Sequence, residues 1–209
     1  MSKKIIVIGR EFGSGGHELG ERLAEELGIP FYDKELVTQA SEQLGLGEEE
    51  VADVDETALS DLAAAYLSKC RARLMAHRDY EHFSTIEDDV LPDKVYLQQA
   101  ALIRTIAAKG PCVIVGRCAN FILRERKDVL SVFIHAECQS RIKRIAKRSV
   151  MTEAEAERTM EAVDRQRKRY FEKHTGKVWG DAENYHLLLN TGLLNIEDAV
   201  RVLKILCSD

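Results

Sequence analysis

The residues best suited to chemistry come early. Ile5-Ile6-Val7-Ile8 reads as a buried strand, because four apolar, mostly β-branched residues follow one another without alternation. Gly9-Arg10-Glu11-Phe12-Gly13-Ser14-Gly15-Gly16 comes next, with four glycines in eight positions. His17 and Glu18 then open a stretch in which Leu19, Leu23, Ala24 and Leu27 recur at helical spacing, and Gly28 stops it. A strand, a glycine-rich turn and a helix in that order cradle an anion. Glycines let backbone N–H groups converge, and the helix presents its positive end. The loop departs from the G-x-x-x-x-G-K-[ST] string, whose lysine reaches the β/γ-phosphates and whose hydroxyl meets magnesium. With Gly13-Ser14-Gly15 set at the end of the loop, Gly16 stands at the lysine position and His17 at the hydroxyl position. Counted from Gly9, the loop is also one residue longer. Arg10 is the nearest cation and is expected to supply the missing charge. The competing reading is a turn that only packs a helix closely on a strand.

Further candidates lie downstream. Arg117 follows the apolar run Cys112-Val113-Ile114-Val115 and Gly116, and its planar fork suits an acceptor phosphate. Asp33 follows a short strand at residues 29–32. It can cap the next helix, orient the acceptor or hold a metal-bound water. Arg141, Arg144 and Arg148 recur every three or four residues and share one helix face. Arg144 is expected to approach the adenine or the phosphates. Arg165, Arg167 and Arg169 are two apart, so they point to different faces and do not all reach one ligand. His17 and Glu18 could meet magnesium only indirectly, since imidazole suits a hard cation poorly. No metal-ligand set is assigned.

These residues need elements to position them. Strands at 5–8, 29–32, 112–115, 129–134 and 185–190 alternate with helical patterns, which predicts an α/β fold with a parallel five-stranded sheet covered on both faces. Ligands in such sheets sit beyond the carboxyl ends of the strands. Residues 9–16, Asp33, Gly116-Arg117 and Asn190-Thr191 all fall there. Between 34 and 110 the pattern is less regular. Leu59, Leu62, Ala63, Tyr66, Leu67, Cys70 and Leu74 form one apolar helix face, to be buried on the core or against a second copy. Residues 77–93, with Pro92, read as a loop. Residues 95–109 read as a helix ended by Gly110-Pro111. Thr152-Glu153-Ala154-Glu155 reads as a capped helix start. Residues 174–181, with Trp179, read as a loop.

Composition narrows the function classes. The chain has 209 residues, 45% hydrophobic and 31% charged, as in an ordinary globular protein. No apolar run approaches the roughly 20 residues of a membrane span. No signal peptide is evident. The five cysteines are odd in number and lack C-x-x-C, so a reducing cytoplasm is the expected compartment. The net charge of −5 hides an asymmetry. Residues 42–61 hold eight acidic residues and no Lys or Arg, while 141–177 hold twelve Lys or Arg against six Asp or Glu. The basic stretch suits the phosphates of a small ligand. An acidic chain without aromatic interleaving speaks against nucleic acid.

The segments R-E-F-G-S-G-G, L-A-E-E-L-G-I-P-F-Y-D-K-E-L, V-I-V-G-R-C-A, V-F-I-H-A-E-C-Q-S-R-I-K-R-I and Y-H-L-L-L-N-T-G-L-L-N-I-E-D-A-V resemble the cytidylate kinase-like family. That family is a relative of the nucleoside monophosphate kinases of the P-loop superfamily. The resemblance covers residues 3–40 and 112–206. It implies one kinase-like domain over 1–209, a substrate-binding helical insertion over 34–110 and a lid over 150–181. It also implies ATP with Mg2+ and transfer of a phosphoryl group to a nucleoside monophosphate or similar small phosphate acceptor. Gly9, Gly13, Ser14, Gly15, Gly16, His17 and Arg144 then face the nucleotide, and Asp33, Arg117 and Cys118 the acceptor. Arg10, Arg117 and Arg167 form the catalytic set. Arg167 is chosen because Glu161, Asp164 and Arg167 match the D-x-x-D-x-x-R spacing of the lid. Cys118 replaces the Asp of the G-R-D segment that helps cytidylate kinases read the nucleotide. A thiol is a poor acceptor, so a cytosine preference is not expected. The missing lysine supports an alternative, a nucleotide-binding or sensing protein without catalysis. A homodimer through the helical insertion is the partner the apolar face suggests.

Overall fold

The computed structural model describes residues 5–33 and 87–207, with side chains of the first helix after the gap described from Tyr96 onward. The apolar helix face at 59–74, the dimer it suggests and any helix capped by Asp33 lie outside the described residues. Five strands form one all-parallel sheet: β1 (Ile5–Arg10), β2 (Phe31–Tyr32), β3 (Cys112–Val115), β4 (Val129–His135) and β5 (Leu187–Asn190), in the order β2-β3-β1-β4-β5. β1 is central, with Ile5 opposite both Cys112 and Val129. Its unbroken apolar run has a simple cause. Ile6 and Ile8 enter one core and Ile5 and Val7 the other, so neither face meets water.

Helices α1 (Gly16–Leu27) and α6 (Ile196–Cys207) cover the first face, with Leu19, Leu23, Val200 and Leu203 packed among Val113, Val132 and Ile134. On the second face Ile103 and Ile106 of α2 (Glu87–Lys109), Ile122 of the short α3 (Ala119–Ile122) and Phe171 of α5 (Glu153–Thr175) meet Ile5, Val7, Ile114 and Val129. α4 (Cys138–Ser149) and the first half of α5 share a third cluster, Ile142, Ile145, Ala156 and Met160, on which Phe12 rests. That seam sets two basic helices against the outside of the glycine loop.

β2 and β5 begin two residues later than read, at Phe31 and Leu187, and two helix boundaries differ further. α2 begins at Glu87, so the loop expected over 77–93 is helical from there on. Pro92 lies within that helix. α5 runs to Thr175, four residues beyond Phe171, before Gly176 caps it in the left-handed region. The capped start is as read: Thr152 accepts from the Glu155 N–H while Glu155 accepts from the Thr152 N–H.

Candidate active site

The glycine loop leaves the end of β1 and is tied down from outside. The Glu11 N–H donates to the Ile134 carbonyl at 3.0 Å, and the Glu11 carboxylate accepts from the Ala136 N–H at 3.1 Å. The Phe12 N–H donates to Asp164 Oδ1 of α5 at 2.7 Å. Arg141 of α4 donates to the Phe12 carbonyl at 3.2 Å and pairs with Asp164 Oδ2. Arg144 donates to the Gly13 carbonyl at 2.7 Å. Arg167 donates to the Arg10 carbonyl at 3.2 Å, with its guanidinium 5.6 Å from the Phe12 ring centre. The Thr191 hydroxyl, beyond β5, reaches the Ser14 carbonyl at 2.5 Å. The Ser14 hydroxyl turns inward to the Glu11 carbonyl at 2.8 Å. Carbonyls are therefore held on the outside, by three arginines and a threonine. Gly15 caps α1 at φ 84°, and the first-turn N–H groups that follow have no acceptor within the helix. That is the geometry of an anion cradle.

Gly16 explains the missing lysine in steric terms. A Cβ at position 16 would stand 2.6 Å from Arg10 Cβ and 3.1 Å from Arg10 Cγ. The Arg10 side chain thus fills the space through which any side chain from position 16 would leave. Arg10 itself is buried, with Nη2 at 3.5 Å from Asp33 Oδ1. Asp33 also accepts from His17 Nδ1 at 2.6 Å, and the Phe31 ring meets the imidazole edge-on at 5.3 Å. Burial raises the Asp33 pKa, but Arg10, the His17 hydrogen bond and Arg117 outweigh it, and the carboxyl is held down at about 2. Asp33 is therefore a buried carboxylate between two basic side chains.

Arg117 comes from the turn after β3. Gly116, Arg117 and Cys118 stand at φ 76°, 56° and 54°, three left-handed residues in succession. Such a conformation costs an L-residue roughly 1–2 kcal/mol. It is held by the Ala119 N–H on the Gly116 carbonyl at 3.0 Å and the Phe121 N–H on the Cys118 carbonyl at 2.9 Å. The turn sends Arg117 inward, where it is 0% exposed. Burial lowers its pKa to about 10, with Asp33 and Tyr170 opposing and Arg10 and Arg167 adding to the fall, so it stays a cation at neutral pH.

Arg10, Arg117 and Arg167 line one cleft at the carboxyl ends of β1 and β3, together with Gly9, Cys118 and Asn120. Tyr170, Trp179 and Tyr185 form its aromatic wall. Phe133 braces that wall, 5.4 Å from Trp179 and 4.9 Å from Tyr185 between ring centres. The structure thus gathers the three catalytic candidates and Cys118 at the cleft, and Gly13, Ser14, Gly15, Gly16, His17 and Asp33 at the loop. Arg144 lies behind the loop, on a carbonyl. Arg165 and Arg169 are exposed while Arg167 is buried, as their spacing requires. Sequence reasoning did not single out Tyr170, Tyr185 or Asn120, and had no signal for them. The D-x-x-R spacing named Asp164 but not its bond to the loop. Among the described residues no three His, Cys, Asp or Glu converge as a metal site. Asp33 is taken by Arg10 and His17, and Glu18 pairs with Arg22 at 2.7 Å. Neither carboxylate is therefore free to serve as a resident magnesium ligand in this arrangement. No described helix is long and apolar enough to cross a membrane.

A five-stranded parallel sheet in this order, with a glycine loop between its central strand and first helix, defines a kinase-like P-loop fold. The chain belongs to the cytidylate kinase-like family, whose model matches residues 5–193. It is similar over 98% of its length, at 28% identity and a TM-score of 0.68, to the crystal structure of an uncharacterized protein from Eubacterium ventriosum ATCC 27560, of which 99% is covered. It shares its fold with a shikimate kinase from Bacteroides thetaiotaomicron at 14% identity and a TM-score of 0.52, with 97% of each chain covered. It also shares its fold with TT1252 from Thermus thermophilus at 18% identity and a TM-score of 0.54, with both chains covered in full. No curated protein matches the sequence.

Proposed function

We propose that the protein transfers the γ-phosphoryl group of ATP to a small phosphate-bearing acceptor, a nucleoside monophosphate in the favoured reading. One observation carries this: Arg10, Arg117 and Arg167 line a single cleft beside the glycine loop. Phosphoryl transfer asks mainly for positioning and charge neutralisation. The first-turn N–H groups of α1 hold the nucleotide phosphates. Arg117, rigid and desolvated, grips the acceptor phosphate in its planar fork. Arg167 faces the charge that spreads over the transferring group. The aromatic wall of Tyr170, Trp179 and Tyr185 takes the flat part of the acceptor. Cys118 offers no strong acceptor for an exocyclic amine, so cytidine monophosphate holds no privilege. The chain is one domain, with residues 34–110 as the acceptor-binding insertion and 150–181 as the lid.

The test is ATP consumption across a panel of nucleoside monophosphates, with and without magnesium. Turnover with one or more of them is the expected result. Gly16 at the lysine position favours a second reading, a nucleotide-binding protein without catalysis. ATP bound tightly but consumed with no acceptor would select that reading, and no binding of ATP at all would end both.

A further inference from the structure

We propose that His17 takes over the role of the absent lysine. Its imidazolium, anchored through Nδ1 by Asp33, donates from Nε2 to the terminal phosphate of the nucleotide. This rests on the reading of residues 9–17 as a phosphate cradle and names the side chain that completes it. Position is the first argument. No side chain can leave α1 at position 16, because Arg10 Cβ and Cγ fill that space. Position 17 is the next in the same helical turn, beside the first-turn N–H groups. Orientation is the second. The Nδ1–Asp33 bond of 2.6 Å and the Phe31 edge fix the ring from two sides. An ionised Asp33 only accepts, so Nδ1 carries a hydrogen. A proton arriving on the ring therefore sits on Nε2, which has no hydrogen-bond partner among the described residues. The His17 side chain is 38% exposed, whereas Arg10 is 5% exposed and turns to Asp33 and the cleft. Arg141, Arg144 and Arg167 are spent on loop carbonyls and Arg10 turns to Asp33, whereas the outward nitrogen of His17 has no partner among the described residues.

The surrounding charges are few. Asp33 faces the ring from the end of β2, and Arg10 of β1 and Arg117 beyond β3 act on that same carboxylate. On α1, Glu18 pairs with Arg22, which also reaches Glu197 of α6. Among the described residues no second carboxylate contacts the imidazole.

ATP affinity of the full chain, with and without magnesium, tests the proposal. His17→Asn keeps a donor for Asp33 and loses the outward nitrogen. It should bind ATP about tenfold or more weakly, the scale of a lost charge-assisted hydrogen bond, with a much smaller loss for AMP. His17→Lys should restore binding. ¹⁵N shifts of the His17 ring should move on adding ATP. Should His17→Asn melt early, His17→Ala, which also lacks the outward nitrogen, serves in its place. Equal ATP affinity in wild type and both neutral variants would overturn the proposal while leaving the cradle intact. A wild type that binds no ATP would overturn the cradle as well.

Discussion

Replacing Asp33 by Asn removes the carboxylate that the structure sets between His17 and Arg10, while keeping its size. Asp33 is held at about 2 against an ordinary value of 3.8. At about 1.4 kcal/mol per pKa unit, the folded state favours the ionised form by about 2 kcal/mol. Arg10, and the fully buried Arg117, would in addition face a neutral amide. Losing one member of a buried pair costs about 3–5 kcal/mol. The expected loss at pH 7 is therefore about 2–5 kcal/mol, read from urea unfolding of both proteins. The pH dependence follows from the direction of the shift. A depressed carboxylate contributes stability above its unfolded pKa and loses it as pH falls through the folded value. The gap between wild type and Asp33→Asn should be constant above about pH 5 and narrow steadily toward about pH 2. It is to be followed down to the lowest pH at which both proteins unfold cooperatively. A gap that is absent at pH 7, or that fails to narrow in acid, would refute the picture of an ionised carboxylate in this pair.

Gly16→Lys supplies the residue of the general loop, yet its Cβ would meet Arg10 at 2.6 Å. It should lower stability by about 1–3 kcal/mol without raising ATP affinity, by thermal melting and ATP titration. Arg167→Ala should reduce turnover on the order of a hundredfold while changing ATP affinity far less, in a coupled assay with varied ATP. Thr152→Ala removes the capping box of α5 and should cost about 1 kcal/mol, with the KM for ATP unchanged.

Much of this fold could be read in the chain because its signals are local. The unbroken β1 run, the Gly28 stop and the Thr152–Glu155 box are each decided by neighbouring residues. Arg167 separates from Arg165 and Arg169 by helical spacing alone. What escaped reading is non-local. Asp33 looks like a helix cap in sequence, and its pairing with His17 spans 16 positions. Asp164 lies 152 positions from the Phe12 N–H that it accepts. Trp179 and Tyr185 come together only through Phe133 of β4, 46 and 52 positions away in sequence. The start of α2 at Glu87 was hidden by Pro92, a residue that breaks most helices.

Arg141, Arg144, Asp164 and Thr191 bond to the glycine loop from behind, and Arg167 bonds to it from the cleft wall, before any ligand arrives. A loop that must be ordered on binding gives up affinity to that ordering. Here that entropy is lost during folding, and the receptor is stiff from the outset. The same bonds join the loop to α4 and α5, so these helices cannot swing away without dragging the Phe12 and Gly13 peptides with them. Loop and helices would then open as one cooperative unit, and amide exchange at Phe12 should track that of mid-α5 rather than of a free loop.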